Sequence, residues 1–461
     1  MDAVTLPNAD KEVNGMDKKW TEMTPAEKRE VRFKKWSAAE GIKFESPEAE
    51  AAYKKAIERF RDVAFLEKVP DRVPVLATGT FMQSAIYGVT PYEAMYDTDK
   101  LLDSHIRFLK DFKPDYGTGP AFIGSGKVLE ILDYKHYRWP GHNLPKDTGY
   151  QYVEGEYMTV DEYDAFIDDP SDFWVRTYLP RMCGALEGLN MITPWTDLWE
   201  VVLVSLHMIP FGLPPVQKAL KALLDAGNEA LAWIGKIDAF DAKQKTMGFP
   251  GIWGGTSKAP FDILADTLRG TRAIMIDMYR QPKKLEKALE RATPLAISMG
   301  VRGATAAGVP TVFIPLHKGA DGFMSDEQFK RFYWPSLKAT ILGLAEEGII
   351  AWIFCEGGFN TRLEYLKELP RYSSFWLFDR TDMVKAKEAI GAKIGIAGNI
   401  PAGLMLTSTP EAVKAYCKNL IDTVGKGGGY MMSWGTALDE GKADTIHAVI
   451  DFTKEYGVYK K

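Results

Sequence analysis

The chain has 461 residues, 46% hydrophobic and 26% charged, with a formal net charge of -5. That length sustains a large core, as one barrel with extensions or as two domains, and the acidic balance excludes a nucleic-acid surface, which needs a basic excess. Three cysteines, Cys183, Cys355 and Cys417, are too few and too scattered for a disulfide framework or a four-cysteine zinc site. A reducing, cytoplasmic setting is therefore expected, and the opening Met-Asp-Ala-Val carries no secretory pattern.

Residues 1 to about 65 read as a polar, helical extension. Thr24-Pro25-Ala26-Glu27 is a capping box with proline at the first helical position, and Ser46-Pro47-Glu48 marks a second helix start. Asp71 to Ala77 reads as a first strand, followed by a Gly/Thr-rich turn, a helix over Met82 to Met95 and another over Leu101 to Phe112. Asp115 to Gly126 is glycine-rich; it ends Gly124-Ser125-Gly126-Lys127 and lacks the full phosphate-loop pattern. Arg138 to Glu156 is turn-rich with clustered aromatics and resembles a loop over a pocket mouth.

Residues 181 to 245 break the strand–helix rhythm and read as an insertion. Its Trp195 and Trp199, with neighbouring Met and Pro, suit either an auxiliary helical core or the wall of a pocket for a flat apolar ligand. Within it Val201 to Leu213 is the most apolar stretch, interrupted by His207 and Pro210. It is too short for a membrane span and reads as a buried or pocket-lining segment. Further strands are expected near 115 to 135 and 247 to 252.

From 311 onward one phrase recurs. An apolar run ends abruptly in a polar residue or glycine, and a helical pattern follows. Thr311–Leu316 stops at His317, Ile349–Phe354 at Cys355-Glu356, and Ser374–Phe378 at Asp379. Ile394–Ala397 stops at Gly398-Asn399, and Gly429–Ser433 at Trp434. Continuous apolar runs of this length signal strands buried on both faces, as in parallel sheets. About eight strands with helices between them predict a (β/α)8 TIM barrel with an N-terminal helical extension and a middle insertion. No Gly-x-Gly-x-x-Gly turn supports the open doubly wound alternative.

In such folds chemistry sits at the carboxyl ends of the strands. His317, Cys355, Glu356 and Asp379 are expected to converge there. Imidazole, thiolate and carboxylate suit zinc. Adjacent residues leaving a strand point to opposite sides, so only one of Cys355 and Glu356 should face the pocket. Cys355 also suits a buried small hydrophobe, and Asp379 a helix cap. Asp321 reads as a cap or a catalytic carboxylate, and Asn399 as a ligand donor or a turn former. Lys318 and Arg380 read as partners of a substrate carboxylate or as solvated charges.

The segments Asp321 to Pro335, Glu347-Gly348 leading to Cys355-Glu356-Gly357, Ile396 to Pro401, Thr409 to Val413 and Gly427 to Tyr430 resemble the uroporphyrinogen decarboxylase superfamily. The resemblance covers roughly residues 300 to 460, with a looser echo in Asp71-Arg72-Val73-Pro74-Val75. It implies a (β/α)8 barrel over 66–461 behind the 1–65 extension. It also implies one of two chemistries. The decarboxylases hold tetrapyrrole carboxylates with an N-terminal arginine-rich motif; Leu76 to Ser84, in its place, has no arginine, and Ala121 to Lys127 has no aspartate. The other branch, corrinoid-dependent methyltransferases, uses a zinc pattern of His-x-Cys before glycine. Here Phe354 and Glu356 occupy those places ahead of Gly357, and Ser433-Trp434-Gly435 has no cysteine.

The resemblance therefore implies methyl transfer from a small methylated donor, such as a methyl ether, to a corrinoid carried by a partner protein. His317 and Glu356 are the expected acid or zinc pair. Asp321 and Asp379 are further catalytic candidates, and Asn399, Cys355, Lys318 and Trp434 ligand-binding candidates. A cofactor-free decarboxylase and a non-catalytic corrinoid-binding protein are the alternatives. No nucleic-acid or membrane partner is expected, and a homo-oligomer is compatible with the sequence.

Overall fold

The structure, a computed structural model, describes residues 18–460. It is an α/β fold built on a parallel six-stranded sheet. The strands are β4 (Gly255–Thr256), β5 (Thr311–Leu316), β6 (Ile350–Cys355), β7 (Ser374–Phe378), β8 (Gly395–Ala397) and β9 (Tyr430–Met431), hydrogen-bonded in that order. Every residue of β6 and β7 is buried, which is why their sequences run apolar without alternation. Parallel bridges join Val75 to Met432 beside β9 and Gly117 to Gly251 ahead of β4, and the Asp115 amide donates to the Val75 carbonyl at 3.2 Å.

The two faces of the strands have different partners. Val312, Ile314, Ala351, Ile353, Cys355, Trp376 and Phe378 pack against the outer helices. Alternate residues, among them Trp352, Phe354, Phe375 and Leu377, form a second cluster on the inner face. Because side chains alternate along a strand, the inner face of β5 continues through Phe313 and Pro315 to His317. That of β6 continues through Trp352 and Phe354 to Glu356.

The extension folds as two helices, Pro25–Ala38 and Pro47–Phe65, capped by Thr24 and Ser46 as the sequence reads; the part of the 1–65 expectation before residue 18 lies outside the described residues. Phe60 is fully buried, stacks 5.6 Å from Trp352 and meets Phe375 edge-on at 5.6 Å. These helices thus fill the inner face of the sheet at the end away from His317.

Several expected elements differ. The helix over Met82 to Met95 is two short ones, Met82–Ala85 and Pro91–Tyr96, because Gly88 between them takes a left-handed φ of 73°. Residues 115 to 135 form no strand beyond single bridges at Gly117 and Tyr134, and include the helix Gly126–Leu132. The strand expected at 247 to 252 begins later, at Gly255. There a Cβ would lie 2.9 Å from the Gly303 Cα, so strand and helix Pro282–Ala307 meet backbone to backbone.

The turn-rich 138–156 region holds a small three-stranded sheet, β1 (Tyr137–Pro140), β2 (Asn143–Leu144) and β3 (Gln151–Tyr152). The insertion is helical and ends in the 33-residue helix Pro214–Thr246. Its Val201–His207 helix has no buried residue, so the expectation of a buried or pocket-lining segment is corrected. Trp195 and Trp199 are exposed and line no cavity described below.

Candidate active site

At the carboxyl ends of β5 and β6 lies a cavity of about 500 Å³. Its walls are aromatic: Phe122, Tyr137, Tyr150, Trp253, Phe313 and Phe354. Its polar lining includes Ser257, Lys258, His317 and Glu356, together with Thr78 and Thr80. An apolar envelope with a few convergent polar groups is the ordinary form of a small-molecule site.

Two aspartates one helical turn apart build the polar end. Asp262, fully buried, accepts from the amides of His317 at 2.9 Å and Lys318 at 3.1 Å and from the Tyr333 hydroxyl at 2.8 Å. It fixes the backbone where β5 ends. Asp266 reaches the His317 side chain, with Oδ2 2.5 Å from Nδ1. The same carboxylate meets the Lys258 ammonium at 2.8 Å and the Lys318 ammonium at 3.3 Å. The other His317 nitrogen, Nε2, lies 3.9 Å from Glu356 Oε1.

The electrostatics follow from this placement. Burial alone would lower the His317 pKa, but the Asp266 hydrogen bond and the charges of Asp262, Glu356 and Asp266 outweigh it, and the imidazole titrates above its ordinary range. Asp266 is pulled the other way: burial raises it, and His317 and Lys258 together hold it well below the usual carboxylate range. Glu356 is pushed up, first by burial and then by Asp262, Asp266 and Asp379, against the pull of His317. The site thus holds an imidazole biased toward its protonated form on a fixed carboxylate, beside a carboxyl group likewise biased toward its protonated form.

The structure brings His317 and Glu356 together at the cavity and places the other candidates elsewhere. Cys355 is fully buried on the helix face of β6, and burial, with Asp321 and Asp379 adding to it, pushes its thiol well above its normal range. It offers no thiolate to a ligand. Asp321 accepts from the Asn360 amide (2.8 Å), the Thr361 amide (3.2 Å) and the Thr361 hydroxyl (2.8 Å), so it anchors the loop after β6 instead of facing the cavity. Asp379 accepts from the Gly357 amide at 3.0 Å; the helix cap expected of it falls to Asp382.

Asn399 donates to the carbonyls of Asp379 and Thr381 at 2.9 and 2.8 Å and so shapes its turn. Trp434 is fully buried, its indole donating to the Thr78 carbonyl. Lys318 is engaged by Asp266 and sits 5.3 Å from the Phe323 ring. The Arg380 side chain is 82% exposed. None of these four borders the cavity.

Lys258, Asp262 and Asp266 carry the site yet stand out little in the sequence. The one available signal is the i, i+4 spacing of the two aspartates, which puts them on one side of a helical turn. The zinc expectation finds too few donors. A catalytic zinc takes three protein ligands, whereas His317 and Glu356 are two, beside the cationic Lys258. Among the described residues no group of three or more His, Cys, Asp or Glu could hold a metal ion. The residues present do not fit zinc.

Comparison with known proteins agrees with the architecture. Residues 248–456 match the family model of "Uroporphyrinogen decarboxylase (URO-D)", about fifty residues further upstream than the sequence resemblance reached. That stretch is similar to the uroporphyrinogen decarboxylase superfamily, whose members are enzymes, decarboxylases or methyltransferases. Uroporphyrinogen decarboxylases of Coxiella burnetii, strains Dugway 5J108-111 and RSA 493 / Nine Mile phase I, are each 23% identical over 315 residues, 64% of this chain and 85% of theirs. A methyltransferase from Methanosarcina mazei shares the fold with a TM-score of 0.56 at 15% identity, over 88% of this chain and 98% of that one.

Proposed function

We propose that the chain is a methyltransferase that takes a methyl group from a small, flat aromatic methyl ether and passes it to a corrinoid carried by a partner protein. The observation that carries this reading is His317 held on Asp266, its Nε2 3.9 Å from Glu356 at the polar end of an aromatic-walled cavity. Stacking on the walls would hold an arene. The ether oxygen would then sit against Nε2–H.

The reduced corrinoid, as methyl acceptor, supplies the electron pair for the new bond to the methyl carbon. The methyl–oxygen bond breaks and its electrons stay on the aryl oxygen. His317 donates its Nε2 proton to that oxygen as the charge develops, and Asp266 stabilises the imidazolium before transfer. Glu356 orients the oxygen. The products are a phenol and a methylated acceptor. The (β/α)8 barrel and a cytoplasmic setting belong to the same reading. The Val75–Met432 and Gly117–Gly251 bridges support the barrel; among the described residues no helix is long and apolar enough to cross a membrane.

Decarboxylation of a tetrapyrrole is the second reading, favoured by the family match and the curated relatives. Against it, no arginine borders the cavity, and the one lysine there, Lys258, is paired with Asp266. A test mixes the purified chain with cob(I)alamin and either 2-methoxyphenol or 1,2-dimethoxybenzene. Loss of the cob(I)alamin absorbance with stoichiometric release of the phenol supports the proposal. Carbon dioxide release from uroporphyrinogen, with no ether cleaved, overturns it, as does binding of cobalamin without turnover.

A further inference from the structure

Three acids and three cationic groups meet at the polar end of the cavity, and their charges do not cancel. Burial, and then the neighbouring Asp266, bias Asp262 toward its neutral form, and burial foremost does the same for Glu356. Against its own burial, Asp266 alone is held ionised, by His317 and Lys258. Opposite it stand the His317 imidazole, biased toward its protonated form, and the ammonium groups of Lys258 and Lys318. The cationic groups therefore outnumber the firmly charged acid that faces them, and among the described residues that line the cavity Glu356 is the one acid.

Lys258 is the place where a ligand can answer that excess. It follows β4, where the Ser257 amide donates to the Phe313 carbonyl at 2.9 Å and the Ser257 hydroxyl to the Ala296 carbonyl at 2.7 Å. These bonds pin the chain just before Lys258 to β5 and to helix Pro282–Ala307. The Lys258 Nζ lies 2.8 Å from Asp266 Oδ2, the oxygen that also meets His317 Nδ1. An ammonium has three N–H donors. Among the described residues Asp266 is the one partner of this ammonium, so donors are left for a ligand. Lys318, by contrast, covers the other Asp266 oxygen at 3.3 Å and does not border the cavity.

The matching ligand group is anionic at neutral pH. A carboxyl group ionises near pH ~4, whereas a phenolic hydroxyl, near ~10, would first have to lose its proton. An ammonium–carboxylate hydrogen bond is also roughly twice as strong as a neutral one. We infer that Lys258 determines specificity by binding a carboxylate carried on the arene, so that the substrate is a methoxyarene carboxylate and not a neutral ether. This rests on the reading of the cavity as the site of an aromatic methyl ether. The carboxylate passes through the methyl transfer unchanged. One ammonium serves one such group, not the several carboxylates of a tetrapyrrole.

Isothermal titration calorimetry near neutral pH, without corrinoid, tests this with 4-methoxybenzoate and its uncharged counterpart methoxybenzene. The parent should bind 4-methoxybenzoate at least about ten-fold more tightly. Lys258→Met should erase that preference and leave methoxybenzene binding unchanged, and Lys258→Arg should keep most of it. A lysine with a merely structural role would weaken both ligands alike when replaced. Equal affinity of the parent for both ligands overturns the inference, as does a preference that survives Lys258→Met, or 2-methoxyphenol bound as tightly as 4-methoxybenzoate. A turnover arm with cob(I)alamin separates this from the reaction itself. Selective binding of 4-methoxybenzoate with no 4-hydroxybenzoate formed would fell the methyl transfer and uphold the role of Lys258. Cleavage of both ethers with equal kcat/KM would uphold the transfer and overturn that role.

Discussion

Asp266 Oδ2 lies 2.5 Å from His317 Nδ1, across 51 residues of sequence, and the same carboxylate also meets Lys258 and Lys318. One acidic group therefore fixes the orientation of the imidazole and holds its proton. Asp266→Asn keeps the shape and removes the charge. The His317 pKa, now raised, should fall toward or below its ordinary value. Because the acid form is then lost at lower pH, the alkaline limb of kcat should move to lower pH, with kcat near pH 8 reduced by about 10- to 100-fold. A pH–rate profile with an NMR titration of the imidazole checks both; an unmoved limb would separate Asp266 from the chemistry.

His317→Ala should lower kcat by roughly 10² to 10⁴ while binding of the aromatic ligand, followed by Trp253 fluorescence, changes only a few-fold. Glu356→Gln retains a hydrogen-bonding group at the 3.9 Å position and should cost less. The double variant should be little worse than His317→Ala alone, because the two groups serve the same oxygen. Additive losses would assign them to separate steps.

Phe60 tests whether the N-terminal helices are part of the domain. Its ring is wholly buried between Trp352 and Phe375, so Phe60→Ala should cost about 3–5 kcal/mol. Denaturant unfolding measures this. A loss under about 1 kcal/mol, outside that range, would mean that the helices sit on a sheet that is stable without them.

Asp115 governs an acid-sensitive joint. Its carboxylate is nearly buried and meets Arg72 at 2.5 Å, Arg59 at 3.1 Å and the Val75 amide at 2.8 Å. Burial raises its pKa, but Arg72 foremost among the arginines brings it below the ordinary value. A carboxylate depressed in the folded state contributes stability that is fully present above its unfolded pKa of about 3.9 and is lost as pH falls below that. Asp115→Ala removes the carboxylate partner of the largely buried Arg72, while Arg59 keeps Asp71 at 2.7 Å, and should cost about 3–5 kcal/mol at pH 7. The gap between variant and parent should narrow at pH 3, read from urea midpoints.

What the sequence discloses follows from what each signal depends on. The parallel strands were legible because β6 and β7 are buried on both faces, and burial writes itself as an unbroken apolar run. The opposite facing of Cys355 and Glu356 was legible because it follows from strand alternation. Asp262 and Asp266 were not: their partner His317 lies more than fifty residues away, and an acidic pair on a helical turn usually faces solvent. The two-residue β4 has too few side chains to alternate. Val201 to Leu213 misled for another reason. Apolar composition reports a need for cover, and a single chain cannot tell whether that cover comes from its own core.

The packing of Phe60 on Trp352 also bears on kinetics. With that end of the inner face filled by aromatic rings, the cavity is a blind well with His317 and Glu356 above an aromatic floor of Trp253, Phe313 and Phe354. Donor and acceptor must use the same doorway, and whichever arrives second seals in the first. The ether has to reach the floor before the bulkier corrinoid takes the mouth, and the phenol can leave only after the acceptor withdraws. Turnover should therefore be compulsory-order, with excess corrinoid slowing the reaction by blocking entry, an inhibition that a higher ether concentration relieves.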